Sequence, residues 1–321
     1  MNIEDVIVKR EPRVIFMGTP DFAVPILEAL IEKYQVVGIV TQPDKEVGRN
    51  KEIRFSPIKE VGIKNMILVL QPTKIREQYE EILALDPDII VTCAYGQIIP
   101  KEILNYPKFG CINVHASLLP KLRGGAPIHR AIINGFRKTG ITIMYMNEGM
   151  DTGDIITSRE IPIEDIDTAE SLHDKLSILG RDLLMDTLPS IFEGTNTRTK
   201  QEESEATYGF NISREDEKIS FDKTSRQIFN QIRGLNSWPG AYTMYDGKIL
   251  KVWESRIGST FDISKVNGEI VAIYNDGFGV KTLDGEIIFT LVQPEGKKKM
   301  DASAFVNGEQ NKGSIIGKVL K

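Results

Sequence analysis

Cysteine is nearly missing from this chain: Cys93 and Cys111 are the two among 321 residues, each inside a strongly apolar run and without the ligand spacing of a zinc site. A disulfide framework is thereby excluded, and two free thiols in a reducing cytoplasm are expected. No window approaches the roughly 18 apolar residues of a membrane helix. The N-terminus, MNIEDVIVKREPRV, carries acidic residues where a signal segment would be apolar, so a soluble cytoplasmic chain with no membrane partner is expected. Excess positive charge is also absent, since 40 Lys and Arg stand against 45 Asp and Glu, a formal net charge of −5. That disfavours nonspecific coating of nucleic acid but leaves room for a local basic site. Residues 1–205 hold 24 cationic against 31 anionic residues and residues 206–321 hold 16 against 14, so the last part is the more cation-rich. Finally, only Gly18 follows the first apolar run, and nothing matches the G-x-G-x-x-G of a dinucleotide site.

What remains, 41% hydrophobic with 26% charged residues, is ordinary for a folded chain long enough for two domains. Residues 13–17 (RVIFM) read as a strand. After the turn Gly18-Thr19-Pro20-Asp21, the spacing of Phe22, Val24, Ile26, Leu27, Leu30 and Ile31 predicts a helix, with Pro25 in its first turn where a missing N–H costs little. Further strands are predicted at 36–41, 66–70, 88–92, 111–115, 140–146 and 155–163, and helices at 56–61, 73–85, 127–134 and 168–192. The segment 42–55, QPDKEVGRNKEIRF, is a long polar loop of the kind that is often functional. This alternation specifies an α/β architecture, a Rossmann-like doubly wound, mostly parallel sheet. Residues 194–207, GTNTRTKQEESEAT, read as a linker. Beyond a helix at 225–235, short strands at 241–245, 248–253, 268–274, 278–282 and 286–291 are separated by three Asp-Gly pairs, which indicates hairpins and a small OB-like β-barrel. The expected domains are therefore 1–193, the linker 194–207, and 208–321.

The stretch 110–154 is the part the rest serves. In the strand at 111–115, Asn113 and His115 lie on one face at the carboxyl end, where a buried parallel strand should be apolar and where α/β sheets bind ligands. Either the pair ties down the following loop or it does chemistry. The later acidic turn, Glu148-Gly149-Met150-Asp151-Thr152-Gly153-Asp154, favours chemistry. Moving a carbonyl between two nitrogens needs donors for an oxyanion and a proton for the leaving nitrogen. Asn113 offers N–H donors, His115 an imidazole, and Asp151 a carboxylate that orients it. Ser117 lacks a G-x-S-x-G setting, so serine hydrolysis is the weaker alternative. Leu118, Leu119 and Pro120 suit a flat apolar ligand, and Tyr95, Gly96 and Gln97 could meet a heterocycle edge; both groups could equally be packing. His129 and His173 read as packing residues of their helices.

These blocks resemble the tetrahydrofolate-dependent formyltransferases, within them the branch acting on methionyl-tRNA. The resemblance covers nearly the whole chain, through MGTPDFAVPILEAL, TQPDKEVGR, AYGQIIP, CINVHASLLPKLRGGAPIHRAI, MDTGDI, NSWPGAYT and QPEGKKKM. It implies a formyltransferase catalytic domain at 1–193, with 10-formyltetrahydrofolate as donor and no metal. It assigns the formyl group to Asn113, His115 and Asp151, and a folate site to Ser117, Leu118, Leu119 and Pro120, with Tyr95, Gly96, Gln97 and Ile98 contacting the pterin through their backbone. The implied acceptor is the amino group of initiator methionyl-tRNA, formylated for translation initiation by a monomeric enzyme. Arg49 and Lys51 of the 42–55 loop would meet the tRNA, as would a barrel at 208–321 whose Lys297, Lys298 and Lys299 neutralise phosphate. Glu46 and Glu52 make that loop less basic than the resemblance implies. Two alternatives stay open: a formyltransferase for a small amine, such as an amino-sugar nucleotide or glycinamide ribonucleotide, and a noncatalytic RNA-binding protein.

Overall fold

The computed structural model describes residues 10–47, 51–259, 262, 264–310 and 314–321. Its contacts group into two compact units. The first holds the chain through Gly124 together with 140–160 and 174–208; the second holds 125–139, 161–173 and 209–321. This division departs from the expected cut at 194–207, because segments 125–139 and 161–173 group with the C-terminal part. Within the second unit, Arg130 donates to both carboxylate oxygens of Asp216, and Arg233 donates to the carbonyls of Glu164 and Asp167.

The chain runs β1 (Arg13–Gly18), α1 (Val24–Lys33), β2 (Gln35–Val40), β3 (Lys45–Val47), β4 (Glu52–Arg54), α2 (Pro57–Lys64), β5 (Val69–Leu70), α3 (Glu80–Leu83), β6 (Ile89–Cys93), α4 (Lys101–Leu104) and β7 (Cys111–His115). It continues through α5 (Pro127–Ile133), β8 (Lys138–Tyr145), β9 (Ile155–Pro162) and α6 (Ala169–Glu193). Seven strands form one sheet in the order β5-β2-β1-β6-β7-β8-β9. Pairing is parallel from β5 to β7 and antiparallel between β7 and β8, which is the mostly parallel, doubly wound sheet expected. The apolar runs that predicted the strands are its core: Ile15, Met17, Val40 and Ile90 are fully buried, each contributing about 1.5–3 kcal/mol relative to exposure.

Local signals act as their chemistry suggests. Ser56 caps α2 through its hydroxyl, which accepts from the Lys59 amide, and Pro57 opens the helix. Two expectations fail locally. The helix predicted at 73–85 contracts to α3, because the residues before it close three-residue turns in place of helical bonds: Glu77 N–H donates to the Lys74 carbonyl and Gln78 N–H to the Ile75 carbonyl. In the polar 42–55 loop, β3 and β4 pair as a short antiparallel hairpin. Cys93 and Cys111 are free and buried; burial pushes the Cys111 thiol up to about 12 and shifts Cys93 the same way.

In the second unit, α7 (Arg214–Glu217) and α8 (Ser225–Gly234) precede β10 (Ala241–Tyr245), β11 (Lys248–Ile257), β12 (Ile270–Tyr274), β13 (Gly277–Lys281), β14 (Glu286–Pro294), β15 (Met300–Asp301) and α9 (Ala302–Gln310). The strands form an antiparallel sheet in the order β10-β11-β14-β13-β12, with β15 on β14. The chain end joins its two edges. Gly317 and Leu320 N–H donate to the carbonyls of Ile270 and Gly268, and Lys321 exchanges backbone hydrogen bonds with Met244 of β10. An exposed edge strand invites foreign pairing, and here the last residues of the same chain occupy both edges. Phe278, Phe289, Ile228 and Val252 are fully buried in the core that results.

Candidate active site

Strand β7 delivers Asn113 and His115 to one face, since their side chains are two residues apart on a pleated strand. Both are tied to named partners. Thr92, nearly buried on the neighbouring β6, has its hydroxyl 2.8 Å from Asn113 Oδ1, with the Ile112 carbonyl as an alternative acceptor at 3.1 Å. An amide whose oxygen accepts from Thr92 directs its NH₂ away, and among the described residues that nitrogen has no hydrogen-bond partner. The sequence reading passed over Thr92. Its signal was present: a hydroxyl at the carboxyl end of the otherwise apolar IIVTC, in register with Asn113.

His115 is 6% exposed, and its Nε2 lies 3.1 Å from the Leu122 carbonyl. A carbonyl only accepts, so this bond requires the proton on Nε2 and leaves Nδ1 as the atom that gains or loses one. Nδ1 faces Asp151 Oδ2 at 3.6 Å. The carboxylate there fixes the ring plane. The carboxylate is itself held, accepting from the Gly124 amide at 2.8 Å.

Asp151 arrives by a turn whose residue types are dictated locally. Its backbone sits at φ +53°, in the left-handed region that Asp tolerates better than most side chains. Gly153 must be glycine, because a Cβ there would stand 1.8 Å from the Tyr145 carbonyl oxygen. Asn147 Oδ1 accepts from the Gly149 amide and the Thr152 hydroxyl, closing the turn from the other side. The D-T-G-D pattern is therefore the chemistry of a tight turn packed on the end of β8.

The other anticipated ligand residues divide in two. Ser117 is buried, its hydroxyl donating to the Lys121 carbonyl at 2.6 Å, and its own carbonyl accepts from Thr142, which also takes the Leu119 amide. A hydroxyl so engaged is a loop staple and no nucleophile. Leu119 is 8% exposed, Leu118 is half-buried, and the Pro120 carbonyl accepts from Thr207. At the end of β6, Ala94 and Gly96 take positive φ, and the Tyr95 carbonyl accepts from both Thr19 and Gln42. Gln97 is likewise internal, bonded to Ile75, Pro72 and Gln42. Ile98 is 65% exposed, and the Tyr95 hydroxyl is buried without a hydrogen-bond partner among the described residues. Among the described residues no three His, Cys, Asp or Glu side chains gather as a metal site requires.

Of the cationic candidates, Arg49 lies outside the described residues. Lys51 is exposed at φ +51°, its ammonium 3.7 Å from Glu46. In the second unit Lys297, Lys298 and Lys299 are exposed between β14 and β15. Lys299 Nζ lies 3.5 Å from the centre of a Trp253 ring, which Lys251 also approaches at 5.4 Å. A short stretch of that surface therefore presents cations around an indole. No helix among the described residues is long and apolar enough to cross a membrane.

Comparison with known proteins bears on these geometries. The formyl transferase family model matches residues 12–188, and the model of its C-terminal domain matches 211–310. The methionyl-tRNA formyltransferase of Macrococcus caseolyticus is 50% identical over 307 residues, covering 95% of this chain and 97% of its own. That of Bacillus cytotoxicus is 55% identical over 300 residues, with 92% and 95% covered. Among solved structures, the sugar 3N-formyl transferase WlaRD, crystallised with dTDP and 5-N-formyl-THF, shares 22% identity at a TM-score of 0.65 over 90% of this chain and 99% of its own, a likeness of fold alone. With two domain models in order and half of all residues shared along nearly the full length, the chain belongs to the formyl transferase family, among the methionyl-tRNA formyltransferases.

Proposed function

We propose that this chain transfers the formyl group of 10-formyltetrahydrofolate to the free amino group of initiator methionyl-tRNA, acting as a cytoplasmic monomer, and that Asn113, His115 and Asp151 carry the transfer. The observation that supports these roles best is the orientation of His115: Nε2 is tied to the Leu122 carbonyl, so Nδ1 is the ring nitrogen left to handle a proton, and it faces Asp151. The methionyl nitrogen attacks the formyl carbon as the neutral amine, and a new C–N bond forms while the carbonyl oxygen gathers negative charge. The Asn113 NH₂ donates to that oxygen, in the manner of an oxyanion hole. The bond from carbon to the folate nitrogen then breaks, and the proton released by the amine passes by way of His115 Nδ1 to the leaving nitrogen. No electrons change hands and no metal enters the balance.

The acceptor follows from the relatives that share half or more of the residues. A folate donor is supported by the family and by the 5-N-formyl-THF held by the sugar enzyme of like fold. Residues 95–98 and 117–120 are the proposed folate-lining segments, with Ile98 and the unengaged backbone of Gly96 the groups left to meet a ligand. Residues 208–321 form the proposed tRNA-binding domain, and Lys297, Lys298 and Lys299, with Arg49 and Lys51, supply phosphate contacts. The test is transfer of labelled formyl from 10-formyltetrahydrofolate to methionyl-tRNA, run beside uncharged tRNA, free methionine and an amino-sugar nucleotide. Label on the initiator methionyl ester alone is expected. Label on the sugar nucleotide with none on tRNA would overturn the acceptor and leave the three site residues standing.

A further inference from the structure

Composition alone makes residues 199–208 look like slack chain, yet they are bonded throughout to the two loops that hold His115 and Asp151. Thr199 pairs with Ile155 through two backbone hydrogen bonds of 2.8 and 2.9 Å. Gln201 Nε2 donates to the carbonyls of both Asp151 and Gly153, each at 2.8 Å. Lys121 donates to the Glu205 carbonyl, the Leu122 amide to the Thr207 hydroxyl, and the Arg123 amide to the Thr207 carbonyl.

Between these contacts sits Arg123, 1% exposed. Its Nε donates to Gln201 Oε1 at 3.1 Å, and its Nη1 meets both carboxylate oxygens of Glu203 at 2.9 and 3.0 Å. Its chain neighbours are the two residues whose backbones touch the proposed catalytic side chains. The Leu122 carbonyl meets His115 Nε2, and the Gly124 amide meets Asp151 Oδ2. The Arg123 bond also sets which way the Gln201 amide faces. With Oε1 turned to Nε, both amide hydrogens point at the turn; the flipped amide would set its oxygen against two carbonyl oxygens.

We propose that Gln201 is a positioning residue for formyl transfer, which with Arg123 fixes the Asp151 turn relative to His115. The proposal rests on the roles given above to His115 and Asp151. A non-glycine residue at φ +53° is strained and persists only where its surroundings over-determine it. Gln201 supplies that constraint on both sides of the turn, at residues 151 and 153. Misplacement by about 1 Å lowers a rate on the order of a hundredfold, so the orientation of this exposed-looking segment bears directly on turnover.

The test is Gln201→Glu in the full chain. The carboxylate keeps the shape and accepts from Arg123, but offers no hydrogen to the two carbonyls. We expect kcat to fall roughly ten- to a hundredfold, with KM for methionyl-tRNA and for 10-formyltetrahydrofolate changed less than about threefold and the pH profile of kcat displaced. Glu202→Gln, on the same segment but with a side chain that among the described residues meets Ser204 alone, should leave all three unchanged. If Gln201→Glu does not fold, Gln201→Met keeps the volume without a charge and should show the same loss. Either folded variant with wild-type kcat and an undisplaced profile overturns the positioning role. Asp151→Ala, measured alongside, separates this failure from that of the site itself. Turnover lost in Asp151→Ala but kept in the Gln201 variant removes Gln201 alone, whereas turnover kept in Asp151→Ala removes the site and the proposal together.

Discussion

Buried polar side chains occur in both units, and they are arranged in opposite ways. In the second unit two of the charged ones are enclosed. Arg233, 8% exposed, gives its hydrogens to Asn230 and to the carbonyls of Glu164 and Asp167, while Glu286, fully buried, receives the Tyr274 hydroxyl at 2.9 and 3.0 Å. In the first unit two side chains at the end of β7 leave atoms open: the Asn113 amide nitrogen, and His115 Nδ1 beside Asp151. A buried polar group with its valences used by the fold is scaffold; one held by some of its atoms and open at the rest can act on a ligand. That contrast separates chemistry from architecture without reference to any relative, and it can be broken.

The largest effect should come from His115→Ala and Asp151→Ala. General acid–base groups contribute on the order of 10²–10⁴ in rate, so turnover should fall by about that factor while tRNA binding by filter retention stays near wild type. Loss of tRNA binding in both would mean that these groups hold structure, as in the second unit. Next is Asn113, through its holder. Asn113→Ala removes the oxyanion donor, with an expected loss of about 10²–10³ in kcat. Thr92→Val frees the amide to turn and should give a smaller loss of kcat at unchanged KM; a wild-type rate in Thr92→Val would show that the amide needs no orienting hydroxyl.

The mirror experiment lies in the second unit. Arg233→Met removes one charge-assisted hydrogen bond from each of the carbonyls of Glu164 and Asp167, and a hydrogen bond to a charged group contributes about 1.5–3 kcal/mol. Denaturant midpoint should drop, while kcat per folded molecule at low temperature is retained. A variant that unfolds at the wild-type midpoint would contradict the scaffold assignment.

How far these features were legible depends on the range of the interaction behind each. The parallel sheet and the site strand were readable because period-2 apolar runs and a polar strand end are local: RVIFM, DIIVT and CINVH became β1, β6 and β7. The 73–85 helix is shorter than its apolar spacing predicts because residues 74–78 close i→i−3 turns, a local choice that periodicity does not register. Residues 194–207 read as a linker because GTNTRTKQEESEAT is polar, and polarity cannot distinguish bonding to water from bonding to the Asp151 turn 50 residues earlier. No strand is predicted at the end of the 208–321 barrel for a similar reason. Residues 317–321, GKVLK, contain too few apolar residues to announce a strand, although they bond to both Ile270 and Met244.

The smallest expected effect concerns the ion pair that joins α5 to α7 inside the second unit. Arg130 donates to both oxygens of Asp216 at 2.8 and 2.7 Å, and Ser213 adds its amide and hydroxyl, so the carboxyl is lowered to about 2, chiefly by the arginine. The folded state therefore favours the ionised carboxylate more than the unfolded chain does, whose Asp titrates near 3.9. A depressed carboxyl stabilises above the unfolded value and loses that contribution as pH falls toward the folded one. The pair is partly solvated, and screening reduces its contribution to about 1 kcal/mol. Asp216→Asn should thus be less stable than wild type by about that amount near pH 6, with the gap closing between roughly pH 4 and pH 2. A gap that persists unchanged to pH 2 would mean that Asp216 stabilises through hydrogen bonds its amide analogue cannot make, and not through charge. The pair would then belong with Arg233 and Glu286 as geometry.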